Sequence, residues 1–187
     1  MNVRVPLLLL LGTSLLTCRE PTKPTETPAS ADWKRAFGQQ LTLMGHRNWI
    51  IIADAAYPLQ NAPGIQTLDT GTDQTAVLTE VLTRLKASRH VRPIIYQDRE
   101  FDFLPASLPG LAAYRQQRQP LLAGRAVQTM PHDSVFGRLS EASKTFGVLI
   151  LKTTSTIPYS TVLLQLDCAY WNADAEKTLR NTMTITR

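Results

Sequence analysis

The sequence is short of cysteine, histidine and glycine, and each shortage removes a class of protein. Two cysteines, Cys18 and Cys168, are too few for a disulfide-stapled scaffold or a four-cysteine zinc site. Three histidines, His46, His90 and His132, cannot build a histidine-rich metal cage. The nine glycines fall in neither a Gly-x-Gly-x-x-Gly nor a Walker A pattern, and no Gly-x-Ser-x-Gly elbow or His-Glu-x-x-His helix is present. No apolar run reaches the ~20 residues that span a bilayer. Lysine and arginine exceed aspartate and glutamate by five, but the basic residues are scattered singly, with no cluster that would track a phosphate backbone. No nucleic-acid partner is expected. What the chain does have is 43% hydrophobic residues against 19% charged in 187 residues, the profile of one packed domain with tails.

The beginning of the chain reads as an export signal. Arg4 precedes an apolar stretch over residues 5–16 that is too short to cross a membrane. It ends in Leu15-Leu16-Thr17-Cys18, which resembles a bacterial lipobox, so residues 1–17 are expected to be removed and Cys18 to carry a lipid. Residues 18–31 are rich in proline and threonine, with no large apolar side chain to bury, as in a solvated tether. The domain proper is expected over 32–187, exported to the periplasm or cell surface and held at a membrane by its lipid.

Within that domain, strand and helix signals alternate. Trp33, Phe37, Leu41 and Met44 make a helical stripe after Asp32, and Gly45 stops it. Residues 49–53 (Trp-Ile-Ile-Ile-Ala) read as a strand buried on both faces. A short strand over 65–68 follows, then an amphipathic helix ending at Lys86, and a strand over 91–96 with Pro93 at its edge. Residues 98–124 carry Pro105, Pro109 and Pro120 and resemble an insertion, with a modest helical pattern over 111–118. Strands at 125–129, 148–151 and 162–166, a helix over 133–143 and a terminal helix over 173–181 complete the pattern. The fold class is α/β: a three-layer α/β/α sandwich with a mostly parallel central sheet.

The candidate chemistry sits at strand ends. His46 precedes the first buried strand and Asp54 follows it, where α/β sheets present ligand-binding residues; Asp54 could equally cap a turn. His132 opens a helix, Tyr159 lies between two strands, His90 ends a charged helix as a surface residue, and Cys168 is a lone thiol without an intramolecular partner.

Together these blocks resemble the D-ribose pyranase / L-fucose mutarotase family. Gly45 through Pro58 is similar to its Gly-His-x-Asp, apolar strand, Asp-Ala-x-x-Pro block. His132 to Phe136, then Lys152 to Tyr159 with Val162 to Leu164, follow its later blocks in order. The resemblance covers about residues 34–168. It implies His46 as acid/base, and Asp54, His132, Tyr159 and Thr161 as sugar-binding positions. Asn48 stands where the family has aspartate, Thr161 where an asparagine contacts the sugar, and Ser155 where it has glutamate. The implied activity is interconversion of monosaccharide anomers or ring forms, on a ribose- or fucose-like sugar, without metal or organic cofactor. A histidine of ordinary pKa, ~6.5, can both remove and return the protons that this requires at neutral pH. The alternative is a non-catalytic monosaccharide-binding or interaction lipoprotein on the same fold.

One extended strand over 47–53 would hold His46 and Asp54 roughly 25 Å apart at ~3.3 Å per residue. Either the segment bends or the site lies between copies of a homo-oligomer, as the ring-shaped assemblies of the resembled family would imply.

Overall fold

The structure is a computed structural model that describes residues 32–185; the expected export signal and tether, with Cys18, lie outside the described residues. Among the described residues, five α-helices and six strands follow in the order α1 (Trp33–Leu43), β1 (Trp49–Ala53), β2 (Ile65–Asp69), α2 (Gln74–Ala87), β3 (Val91–Asp98), α3 (Leu111–Leu122), β4 (Val127–Met130), α4 (His132–Ala142), β5 (Val148–Lys152), β6 (Val162–Cys168) and α5 (Ala173–Ile185). The strands form one sheet in the order β2-β5-β1-β6-β3-β4. β1 pairs with β5, β2 with β5 and β3 with β4 in parallel, while β6 runs antiparallel between β1 and β3. Five strands therefore point one way, and the sheet is mostly parallel as the sequence predicts.

The pleat sorts β1 between two cores. Ile50 and Ile52 face α1 and α2, packing with Phe37, Leu78 and Val81; Trp49 and Ile51 face α4, packing with Val135 and Leu139. Every residue of β1 is buried, which is why the run could afford no polar position. Each such isoleucine, removed from water, contributes ~1.5–3 kcal/mol. Helices on both faces make the three layers.

Local chemistry sets several element ends. Asp73 caps α2, its carboxylate accepting from the N–H groups of Thr75 at 2.8 Å and Ala76 at 3.3 Å. Asp32 stands at the start of α1 as expected, but its side chain pairs with Arg35 instead of capping. His90 is exposed, yet its Nε2 lies 3.1 Å from the Met44 carbonyl and 3.3 Å from that of Leu41, closing the end of α1.

Residues 98–124 carry the crossover between β3 and β4. β3 and β4 are parallel neighbours, and such strands need a crossover that returns the chain to the same end of the sheet. A 3-10 turn (Arg99–Phe103) and α3 supply it. α3 starts after Gly110, whose φ of 79° suits glycine, and runs two residues past Pro120, four beyond the expected end. β4 begins at Val127 rather than 125. It covers β3 only from Ile95 to Asp98, so Pro93 lies where β3 is paired by β6 alone.

Candidate functional site

The expected site residues fall at two opposite ends of the sheet. β1 is regular over its five residues, so the turn before it, with His46, and the turn after it, with Asp54, do not meet within one chain.

At the carboxyl end of the parallel strands, Asp54, Asp98, His132 and Tyr159 gather. His132 opens α4 directly after β4, and its backbone N–H donates to Glu100 at 3.0–3.1 Å. Its Nδ1 lies 3.0 Å from Oδ2 of Asp98 at the end of β3. Asp98 is fully buried, and burial pushes its carboxyl up to about 6; His132 opposes the rise, while Glu100 and Asp54 add to it. The His132 ring meets Tyr159 and Phe136 edge-on, at 5.1 and 5.0 Å between centroids. Tyr159 has a φ of 55°, a strained conformation for a tyrosine, and keeps 38% of its surface exposed.

Asp54 performs the turn-capping role: its Oδ1 accepts from the Ala56 N–H at 2.8 Å. Thr161 stands one residue beyond the ladder pair Gln97↔Val162, beside Asp98 in register. It is 1% exposed, and its Oγ1, like Asp98 Oδ1, is buried without a hydrogen-bond partner. Of these two expected sugar-binding residues, Tyr159 is open to solvent and Thr161 is closed off from it. Ser155 serves the same loop, its Oγ accepting from the Ile157 N–H at 3.3 Å and its carbonyl from the Ala55 N–H at 2.8 Å.

At the other end, His46 sits in the turn between α1 and β1. Asn48 shapes that turn: its Oδ1 accepts from the Gly45 N–H at 2.6 Å, and its Nδ2 donates to the Gly147 carbonyl at 3.3 Å. His46 Nδ1 lies 3.2 Å from Oδ1 of Asp167, on β6. Arg92 donates to the other oxygen through Nε at 3.0 Å and a terminal nitrogen at 2.8 Å. Burial alone would raise Asp167, but the Arg92 bonds, the Cys168 N–H and the nearby positive charge hold it below the usual carboxylate range. An ionised Asp167 favours the tautomer with hydrogen on Nδ1, and the Nε2 lone pair accepts from Arg47 Nε at 3.3 Å. Arg47 itself has a φ of 75°. A cleft of about 750 Å³ runs from His46 along Trp49 and Tyr96 under α4.

Two carboxylates that orient histidines, Asp98 and Asp167, went unnoticed in the sequence. The available signal was position alone: Asp98 ends a strand, where ligand-facing groups concentrate. Cys168, at the end of β6, is a half-buried free thiol.

A sequence model described as the RbsD / FucU transport protein family matches residues 35–169. No curated protein sequence matches the chain. Among solved structures, the fold is similar to Bacillus subtilis RbsD complexed with D-ribose, at 18% identity over 70% of this chain and 89% of that one, with a TM-score of 0.48. It is similar also to the fucose mutarotase of Streptococcus pneumoniae in complex with L-fucose, at 19% identity over 70% and 89%, TM-score 0.46. FucU from Bifidobacterium longum matches at 16% identity over 70% and 92%, TM-score 0.45.

Proposed function

The chain belongs to the RbsD / FucU transport protein family, and from that premise we propose that it binds a monosaccharide and interconverts its anomers or ring forms. The observation that carries the reading is the pair of histidine–carboxylate couples, His46–Asp167 and His132–Asp98, at opposite ends of the sheet. Each couple holds a ring nitrogen in a defined tautomer, as proton transfer to and from a sugar requires.

In this reading His46 is the acid/base. With the Arg47 guanidinium displaced from it by the sugar, Nε2 takes the proton of the anomeric hydroxyl as the C1–O bond becomes a carbonyl, the bond from C1 to the ring oxygen breaks, and the ring oxygen is protonated. After rotation about C1–C2 the steps reverse, and protons and atoms balance over the cycle. A positioned histidine contributes ~10²–10⁴-fold to such a step. Asp54, His132 and Tyr159 hold the sugar hydroxyls.

His46 belongs to one end and the sugar-holding group to the other, so a complete site takes its halves from two copies. A heterologous head-to-tail contact, repeated until it closes, gives a ring. The lipobox-like Leu15-Leu16-Thr17-Cys18 supports a domain held outside the cytoplasm by a lipid on Cys18. Metabolic labelling with a fatty acid, lost in Cys18→Ser, tests that anchor.

Exchange NMR on D-ribose and L-fucose tests the activity. Accelerated anomer exchange that disappears in His46→Ala is expected. Binding of either sugar without acceleration would make the protein a sugar-binding module instead.

A further inference from the structure

The family match ends at residue 169, and the chain beyond it adds a wall to the surroundings of His46. From β6 the backbone turns through Tyr170, Trp171 and Asn172 into α5. A cavity of about 620 Å³ lies between this turn and His46, within the ~300–1,000 Å³ of small-molecule sites. Its lining joins polar groups, His46 and Asp167 with Arg47 and Arg92, to two aromatic rings, Tyr170 and Trp171.

Scattered exposed rings carry no message by themselves, but this indole is held in place. Trp171 is 43% exposed, and its Nε1–H donates to Glu176 Oε2 at 2.8 Å. Glu176 in turn accepts from Arg180 Nε at 2.7 Å. The ring is thus fixed at one edge while part of its surface stays open to solvent. A π face is electron-rich, and a sugar ring offers an apolar face of polarised C–H bonds ringed by hydroxyls. An aromatic wall opposite a few fixed polar groups is how concave sites bind such amphipathic ligands.

We propose that Trp171 is a carbohydrate-stacking platform for the site at His46, taking the C–H face of a sugar ring whose hydroxyls meet His46 and Asp167. The proposal rests on the sugar-isomerase reading and extends it to residues outside the family domain. It makes the turn after β6 a determinant of which sugar is accepted.

The chain has three tryptophans, and Trp33 and Trp49 are buried at 4% and 2% exposure, so collisional quenching by acrylamide reports mainly on Trp171. In the wild-type protein, saturating D-ribose or L-fucose is expected to reduce that quenching. Trp171→Leu, which stays apolar but has no aromatic face, is expected to weaken binding of the same sugar about five- to tenfold, with Trp171→Phe within about twofold of wild type. Far-UV circular dichroism checks that α5 persists; if it melts in Trp171→Leu, the wild-type quenching and Trp171→Phe decide. Unchanged quenching at saturating sugar, or unchanged affinity in Trp171→Leu, overturns the platform and leaves the proposed function standing. A wild-type protein that binds neither sugar overturns both.

Discussion

His132 Nδ1 lies 3.0 Å from Oδ2 of Asp98, a carboxylate with no exposed surface, although the two residues are 34 positions apart in the chain. The pair ties the start of α4 to the end of β3 and fixes the imidazole at the carboxyl edge of the sheet. It also makes that edge sensitive to pH.

Asp98 has its carboxyl raised from 3.8 to about 6 by burial. Between about pH 4 and 6 the folded protein therefore keeps a proton that the unfolded chain has lost. The native state binds more protons in that window, so this group's contribution to stability falls as pH rises through it. Asp98→Asn removes the titration. The stability of wild type relative to Asp98→Asn, from urea denaturation, should decline by at most about 3 kcal/mol between pH 4 and 6.5, at 1.36 kcal/mol per pKa unit. A difference independent of pH would contradict the raised carboxyl.

Gln74 is fully buried at the start of α2 and bridges two parts of the site scaffold. Its amide donates to the carbonyls of Ile52 at 3.1 Å and Ser160 at 3.0 Å, and the Ser160 hydroxyl lies 2.7 Å from its Oε1. Truncation strands buried polar groups and leaves a cavity beside Ser160. Gln74→Ala should lower unfolding free energy by about 3 kcal/mol, with sugar affinity falling as the β6 entry loosens. Thermal denaturation with parallel sugar titration checks both.

Asn48 holds the His46 turn from two sides, through Gly45 and Gly147. Asn48→Ala should cost about 1 kcal/mol of stability. Because His46 then loses its fixed position rather than its chemistry, kcat should fall about tenfold with KM little changed. An equal rise in KM with kcat intact would assign Asn48 to sugar binding instead.

The sheet centre was legible because β1 and β5 are continuous apolar runs, a pattern that burial on both faces imposes. The β3–β4 crossover was not. Pro105, Pro109 and Pro120 interrupt its periodicity, and only the parallel pairing of Ile95–Asp98 with Val127–Met130 shows that the segment must return along the sheet. At the site, His46, Asp54, His132 and Tyr159 could be picked out through their flanking blocks. Asp98 and Asp167 could not, since a carboxylate ending a strand looks in sequence like any loop aspartate until its histidine is brought to it. Trp171 was hidden differently: it lies past the resembled region, and its meaning comes from the cavity it shares with His46.

The placement of His46 and His132 at opposite ends of the sheet makes the central claim testable by mixing two variants. His46→Ala and His132→Ala are each expected to be inactive in anomer exchange. Co-refolded in equal amounts, they should form mixed rings in which about a quarter of the head-to-tail interfaces carry both intact halves, restoring about a quarter of wild-type exchange. A mixture no more active than the two variants measured apart would contradict a site shared between copies.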